Sequence, residues 1–265
     1  RAEFKAQGRG GIGVKASSTR DNDFIEKIYP ATMHNTMLFF TDRGRCYWLK
    51  VYDIPDGTKQ GKGRAIQNML MIEPGDAVRA CLCIRKLSDP EFCQSHYVVF
   101  CTKNGIIKKT CLTDYSRVRT NGVNAINIRE DDQVIGVELT NGKNEIIIAS
   151  AAGLAVRFDE DKVRPMGRTA TGVYGIDLTQ ETQPNNRVVG MCVINDVETE
   201  SIMVLSENGF GKRTDVEAYR KTNRHAKGVK TLDITEKTGE LVAITVIKDD
   251  DDLMIINKSG TTIRI

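Results

Sequence analysis

Apolar residues fall in short, β-branched runs, each cut off by a turn glycine: "TMLFFTDRG", "HYVVFCTKNG", "EIIIASAAG", "SIMVLSENG" and "DLMIINKSG". The terminating glycines are Gly44, Gly105, Gly153, Gly209 and Gly260, at intervals of 61, 48, 56 and 51 residues. After each of the first four comes a second glycine that opens another apolar alternation: Gly63 ("GRAIQNML"), Gly122 ("GVNAINI"), Gly172 ("GVYGIDL") and Gly228 ("GVKTLDI"). The second glycine lies 19, 17, 19 and 19 residues after the first. Such constancy inside a repeat of varying length marks a structural module.

Runs bounded by Gly, Asn and Asp predict about four strands per repeat. The turns "SENG", "TKNG" and "KSG" supply residues that tolerate positive φ in tight hairpins. No segment sustains a helical apolar period over three turns, so the predicted fold is all-β, built of propeller-like blades.

Gly13 occupies the second-glycine position of a repeat whose first half precedes Arg1. The ending "DLMIINKSGTTIRI" is a first half without its second. The whole chain, 1–265, reads as one domain: a half-blade at 1–35, blades at about 36–95, 96–143, 144–199 and 200–250, and a half-blade at 251–265. A chain that begins with Arg1 is expected to be a piece of a longer one. Six blade positions are predicted, the first and last incomplete; pairing of the terminal strands near Phe4–Val14 and Leu253–Ile265 would instead give five.

Composition adds little until it is divided. Apolar residues make up 40% of the chain, enough for a core, and no run is long enough for a membrane span or resembles a signal peptide. Seven scattered cysteines argue for reduced thiols in a cytosolic protein. The net charge is only +3, yet it is sharply segregated. The segments from first to second glycine, with near flanks (1–20, 43–64, 103–124, 153–172, 207–230 and 258–265), total +19, and the segments between them total −16. The same loop of each repeat is therefore basic, which a circular arrangement converts into a basic ring.

Arg9, Lys59, Arg168 and Arg224 stand four residues before the second glycine, and Arg119 stands three before it in the one shorter loop. The opening "QGRGGIG" is the glycine-richest member of this series. Glycine lets backbone amides approach a phosphate while arginine supplies charge and a bidentate fork. A single basic turn usually faces solvent; five in register, with the acids displaced elsewhere, point to a row of phosphates.

"QGRGGIG" also resembles the Gln-Arg-Arg-Gly-Gly-Lys-Gly box of the C-terminal DNA-wrapping domains of DNA gyrase A subunits. "FFTDRGRCYWLKVYDIP", "KGRAIQNML", "NGIIKKTCLTDYSRVRTNG" and "NGFGKRTDVEAYRKTNRHAKGVKTLDITEKTG" are similar to successive blades of those domains. Gly8 and Ile12 depart from the box, each removing a cation. The resemblance implies a six-bladed β-pinwheel that wraps duplex DNA round a basic rim, largely without sequence preference. It implies a non-catalytic part of an ATP-dependent type II topoisomerase that introduces negative supercoils. The partners implied are double-stranded DNA, the B subunit and the remainder of the A subunit. The domain itself is expected to be monomeric, cytoplasmic and free of cofactor, with ATP and Mg²⁺ used elsewhere in the enzyme.

The expected DNA contacts begin with Gln7, Gly8, Arg9, Gly10, Gly11, Gly13 and Lys15. Arg45, Lys59, Lys62 and Arg64 follow in the next repeat, then Lys108, Lys109, Arg117 and Arg119. The later repeats contribute Arg157, Arg164 and Arg168, then Arg213, Arg220, Arg224 and Lys227. The rival readings are the corresponding domain of topoisomerase IV and a protein-binding propeller scaffold.

Motifs for chemistry are weak. Tyr115 and Tyr219 share their repeat position with Phe4, Ile54 and Val163, which points to packing rather than nucleophilic work. "GKGR" (61–64) lacks phosphate-loop spacing. Cys93, His96 and Cys101 fit no common zinc pattern, and "DDDD" (249–252) reads as a solvated turn. Trp48 fills the position of Lys109, Arg157, Arg213 and Arg264, as a core or inter-blade anchor or as a contact to a sugar edge.

Overall fold

Continuous apolar runs, as opposed to strict alternation, belong to strands covered on both faces. Tyr97–Thr102 and Glu145–Ser150 each bury every residue but the first. The computed structural model describes residues 14–15, 27–57, 63–179, 185–256 and 261–264.

In chain order the strands are β1 (Val14–Lys15), β2 (Thr36–Thr41), β3 (Arg45–Lys50), β4 (Val78–Ile84), β5 (Tyr97–Thr102), β6 (Ile106–Cys111), β7 (Val123–Asn124), β8 (Val134–Thr140) and β9 (Glu145–Ser150). They continue as β10 (Leu154–Asp159), β11 (Val173–Tyr174), β12 (Val188–Ile194), β13 (Ser201–Ser206), β14 (Gly211–Asp215), β15 (Val229–Lys230), β16 (Leu241–Ile247), β17 (Met254–Ile256) and β18 (Thr261–Arg264). A short helix, α1 (Pro90–Ser95), precedes β5; Asp89 caps it by accepting from the Glu91 and Phe92 amides. Among the described residues no helix is long and apolar enough to cross a membrane.

These strands form antiparallel sheets ordered β4–β2–β3–β7, β8–β5–β6–β11 and β12–β9–β10–β15, with two three-stranded sheets, β16–β13–β14 and β17–β18–β1. Successive inner strands β4, β8, β12 and β16 lie against one another. Apolar faces of neighbouring sheets interdigitate: Phe40 meets Phe100 edge-on, with ring centroids 5.2 Å apart, and both meet Tyr115.

Sequence repeat and sheet are out of phase. β7 belongs to the repeat of β5, β6 and β8 but pairs with β3 of the preceding sheet; β11 pairs likewise with β6, and β15 with β10. The stretches 96–143, 144–199 and 200–250 thus each supply three strands to their own sheet and lend a two-residue outer strand to the sheet before it.

The two glycine series meet at this exchange. Ala125 N and Ile126 N donate to Gly44 O (2.7 and 3.1 Å), and Thr231 N and Leu232 N donate to Gly153 O (2.8 and 3.2 Å). A Cβ at Gly172, where φ is +105°, would lie 2.5 Å from Ile107 O of the strand that β11 joins. Gly63 and Gly209 also have positive φ, but nothing lies within 4 Å of a Cβ built on either. In both, the exchanged partner strand is absent from the described residues.

The terminal halves differ from the favoured expectation. Val14 pairs with Thr262 and Lys15 with Thr261, so the two half-repeats merge into one sheet instead of standing in separate incomplete blades. Five sheets result among the described residues. Pairing satisfies edge groups that each half would otherwise leave open.

Candidate nucleic-acid interface

A strand that leaves one sheet to edge its neighbour must be reached by a connection running along the outside of both. Residues 112–122, 160–172 and 216–228 are these straps, and together they hold nine lysines and arginines against four acids. Each opens with a 3₁₀ turn, at Leu112–Tyr115, Glu160–Lys162 and Val216–Ala218. Two of them are tied to the sheet they cross: Met166 N donates to Lys109 O at 2.7 Å and Thr222 N to Arg157 O at 2.8 Å.

After Gly44, Gly105 and Gly153, the side chain four residues on locks the turn of the next strap. Trp48 Nε1 donates to Tyr115 O (2.9 Å), and Lys109 Nζ to Glu160 O (2.9 Å). Arg157 Nη1 donates to the carbonyls of Val216 and Tyr219 (both 3.0 Å). Trp48 is therefore an inter-blade anchor, buried like Lys109 and Arg157, which share its position.

Three of the expected DNA contacts are corrected by this placement. Lys108, Lys109 and Arg157 are buried. Lys108 Nζ is held by Ala125 O and Arg168 O (2.5 and 2.8 Å), and burial pulls its pKa down to about 7. Burial likewise lowers the Lys109 pKa, opposed by Glu160, whose carboxylate also accepts from Thr140 Oγ1 and Asn144 N. Arg157 Nε donates to Glu145 at 2.6 Å. Burial works against Glu145, but hydrogen bonds from Arg157 and Lys221 hold its carboxyl below the usual range. These cations are spent on internal partners. Strands buried on both faces leave them no outward side.

Arg45 and Arg213 are also engaged. Arg45 Nη2 donates to Asn121 O at 2.8 Å, clamping the strap that carries Arg119, and Arg213 pairs with Asp249 and Ser201 Oγ. Arg64, Arg117, Arg119, Arg164, Arg220 and Lys227 are exposed, and Arg168 and Arg224 are half-buried. Arg224 joins two straps by donating to Lys162 O and Tyr174 O (3.2 and 3.1 Å). Gln7, Gly8, Arg9, Gly10, Gly11, Gly13, Lys59 and Lys62 lie outside the described residues, and of Lys15 only its place in β1 is described.

The remaining motifs fall into structural roles. Tyr115 and Tyr219 are buried, and burial raises both phenol pKa values, unlike a nucleophile's. Cys93 sits in α1 with its thiol on Leu87 O, while Cys101 is buried in β5 and donates to Thr102 O. In the acidic turn, Asp249 pairs with Arg213, Asp251 accepts from Lys248 N, and Asp252 pairs with Arg264.

A cluster that the residue pattern does not announce joins Arg129, Tyr174 and His225. The Arg129 guanidinium lies over the Tyr174 ring, 5.0 Å from its centroid, and its Nη1 donates to Tyr174 Oη at 2.9 Å. His225 stacks on the same ring, with centroids 4.9 Å apart and planes at 18°. The signal available was Tyr174 itself, an aromatic two residues past a second glycine where other repeats have Lys15, Ala65, Asn124 and Lys230.

The family model described as "DNA gyrase C-terminal domain, beta-propeller" matches residues 2–32, 35–85, 96–141, 144–192 and 200–248. The DNA gyrase A subunit of Staphylococcus epidermidis is 40% identical over 99% of this chain, and that of Staphylococcus aureus is 39% identical over the same share. The chain spans 28% of the length of the first relative and 29% of the second. Among solved structures, a DNA gyrase A C-terminal domain superposes with TM-score 0.83 at 23% identity, covering 100% of this chain and 83% of that one. The C-terminal domain of a DNA topoisomerase IV gives TM-score 0.74 at 28% identity, covering 88% of this chain and 70% of that one.

Proposed function

The chain belongs to the DNA gyrase C-terminal β-propeller domains, and on that premise we propose that it binds duplex DNA along its straps and wraps it round the rim of the disc. The observation that carries this reading is the position of the basic straps. They run from sheet to sheet on the outer edge, with Arg117, Arg119, Arg164, Arg220 and Lys227 exposed along them.

Smoothly bending a 20–30 bp site costs about 1–6 kcal/mol by elastic estimates. Evenly spaced cations offset that cost through counterion release. Contacts confined to phosphate carry no sequence information, so binding is largely nonspecific. Within a gyrase this domain would hold DNA for the strand passage that introduces negative supercoils. Cleavage and ATP hydrolysis would belong to other parts of the enzyme, in the bacterial cytoplasm, with the B subunit and the remainder of the A subunit for partners. The domain would act as a monomer without a cofactor of its own.

The test is topological. Nicked circular DNA is saturated with the domain and sealed by ligase, and its linking number is read after the protein is removed. A shifted topoisomer distribution is expected. A distribution identical to that of naked DNA, under conditions where binding is seen directly, refutes wrapping.

A further inference from the structure

The Arg129–Tyr174–His225 stack has features that packing alone does not call for. Tyr174 is 44% exposed, on the outermost strand of its sheet. His225 holds φ of +63°, a left-handed conformation that few non-glycine residues adopt, although histidine, like asparagine and aspartate, enters it more readily than most. That conformation is fixed by the His225 amide donating to Gly175 O (2.8 Å) and by Arg224 reaching Tyr174 O. A strained residue over-determined by its surroundings points to a functional site. The stack also draws on three connections at once: the loop before β8, strand β11, and the strap of the following repeat.

We propose that this stack is a preassembled contact for one backbone phosphate of bound duplex DNA, a proposal that rests on the DNA-binding reading above. Arg129 and His225 both lie against the Tyr174 ring, 5.0 and 4.9 Å from its centroid, and so compete with a base for it. What it offers outward is donors. Tyr174 Oη accepts from Arg129, which leaves its own O–H free to donate, and the guanidinium has further N–H groups.

Four acids lie near: Glu130 and Asp131 follow Arg129 in the chain, and Asp132 and Asp177 are engaged by their own loops. Asp132 accepts from the Asn104 and Gln133 amides, and Asp177 from Thr179 N and Oγ1. His225 faces Tyr174, with Arg224 and Lys227 beside it on its own strap and Asp177 in electrostatic reach. Because the side chains are already ordered, little conformational entropy remains to be lost on binding.

The probe is a fluorescent duplex of arbitrary sequence, titrated by anisotropy over a range of potassium chloride concentrations. Arg129→Gln is expected to weaken binding several-fold and to make the log–log salt slope shallower by about 0.9, the value of one phosphate. Tyr174→Phe, which keeps the stack and loses the hydroxyl, is expected to lose less than Tyr174→Leu. His225→Asn keeps a residue that tolerates positive φ. It removes the imidazole stacked on Tyr174 and is expected to weaken binding, though less than Arg129→Gln, which removes a charge.

If Arg129→Gln and His225→Asn keep the parent's affinity and slope while the parent binds with a steep slope, the stack is packing only and the proposal falls. If the parent itself binds without salt dependence, the rim reading falls with it. Thermal melting of each variant shows whether a loss is merely structural: a lowered Tm with an unchanged salt slope also overturns the proposal.

Discussion

Replacing Lys108 by methionine should stabilise the domain near neutral pH and lose that advantage as the pH rises. The ammonium is buried against the carbonyls of Ala125 and Arg168, with the Phe100 ring 5.5 Å from Nζ. Its pKa is about 7 in the folded chain against 10.5 ordinarily. Below pH 7 the folded protein carries the buried charge and bears the full penalty. Between 7 and 10.5 the folded lysine is neutral while the unfolded one still binds a proton, so the parent gains stability with pH. Each pH unit is worth about 1.36 kcal/mol, and the penalty shrinks by about 3 kcal/mol between pH 7 and pH 9.5.

Methionine carries no charge to bury, and its cost is one orphaned carbonyl. Ala125 O retains Tyr115 Oη at 3.2 Å, whereas Arg168 O loses its donor, at about 1–3 kcal/mol. Near pH 6.5 the variant should therefore be the more stable by roughly 2 kcal/mol; near pH 9.5 the two should be close or reversed. Urea unfolding of both proteins across this range gives the difference directly, with all other titrations cancelling. A difference that stays constant with pH, or widens in favour of methionine, refutes the assignment of a buried, displaced lysine.

Two further predictions concern the exchange and its locks. Gly172→Ala places a methyl against Ile107 O at positive φ, whereas Gly209→Ala meets no atom within 4 Å. The former should lower the urea midpoint clearly more than the latter, which bears only the left-handed penalty of about 1–2 kcal/mol; equal losses would deny that Gly172 serves close approach. Arg157→Ala leaves the half-buried Glu145 with Lys221 alone and strips the Val216 and Tyr219 carbonyls of their donor, and should cost about 2–4 kcal/mol of stability. Its salt slope for DNA should match the parent's, as measured by anisotropy on the folded variant, and a shallower slope would return Arg157 to the interface.

Much of this architecture is legible in the residues. The glycine pairs mark where chain meets chain, and Tyr115, Val163 and Tyr219 are buried as their interchange with apolar residues implies. The exchange is not legible, because a periodic sequence looks the same whether its third strand stays or moves one sheet back. The same ambiguity misplaces Lys108, Lys109 and Arg157. In a sheet with one solvated face, a cation three or four residues past a turn reads as outward; here neighbouring sheets cover both faces. The internal acids were the clue available, since Glu145 and Glu160 stand in the sequence as partners for cations beneath the surface. Arg129 and His225 were obscure for the opposite reason: they lie far apart in sequence and are joined only through Tyr174.

Duplication of one whole period, 48 to 61 residues here, adds both a hairpin that needs an outer strand and an outer strand that needs a hairpin. The newcomer lends its strand to the sheet before it and receives one from the sheet after it, so no unmet edge is created at either seam. Deleting a whole period is balanced in the same way. Unequal recombination in register would therefore lengthen or shorten the row of sheets in single steps without leaving a hairpin unpaired. A crossover half a period out of phase leaves a widowed hairpin, and selection for solubility removes it. The phase offset makes the copying unit of the gene compatible with the closing unit of the protein, and ring size becomes a trait that can vary among descendants while the sheets stay the same.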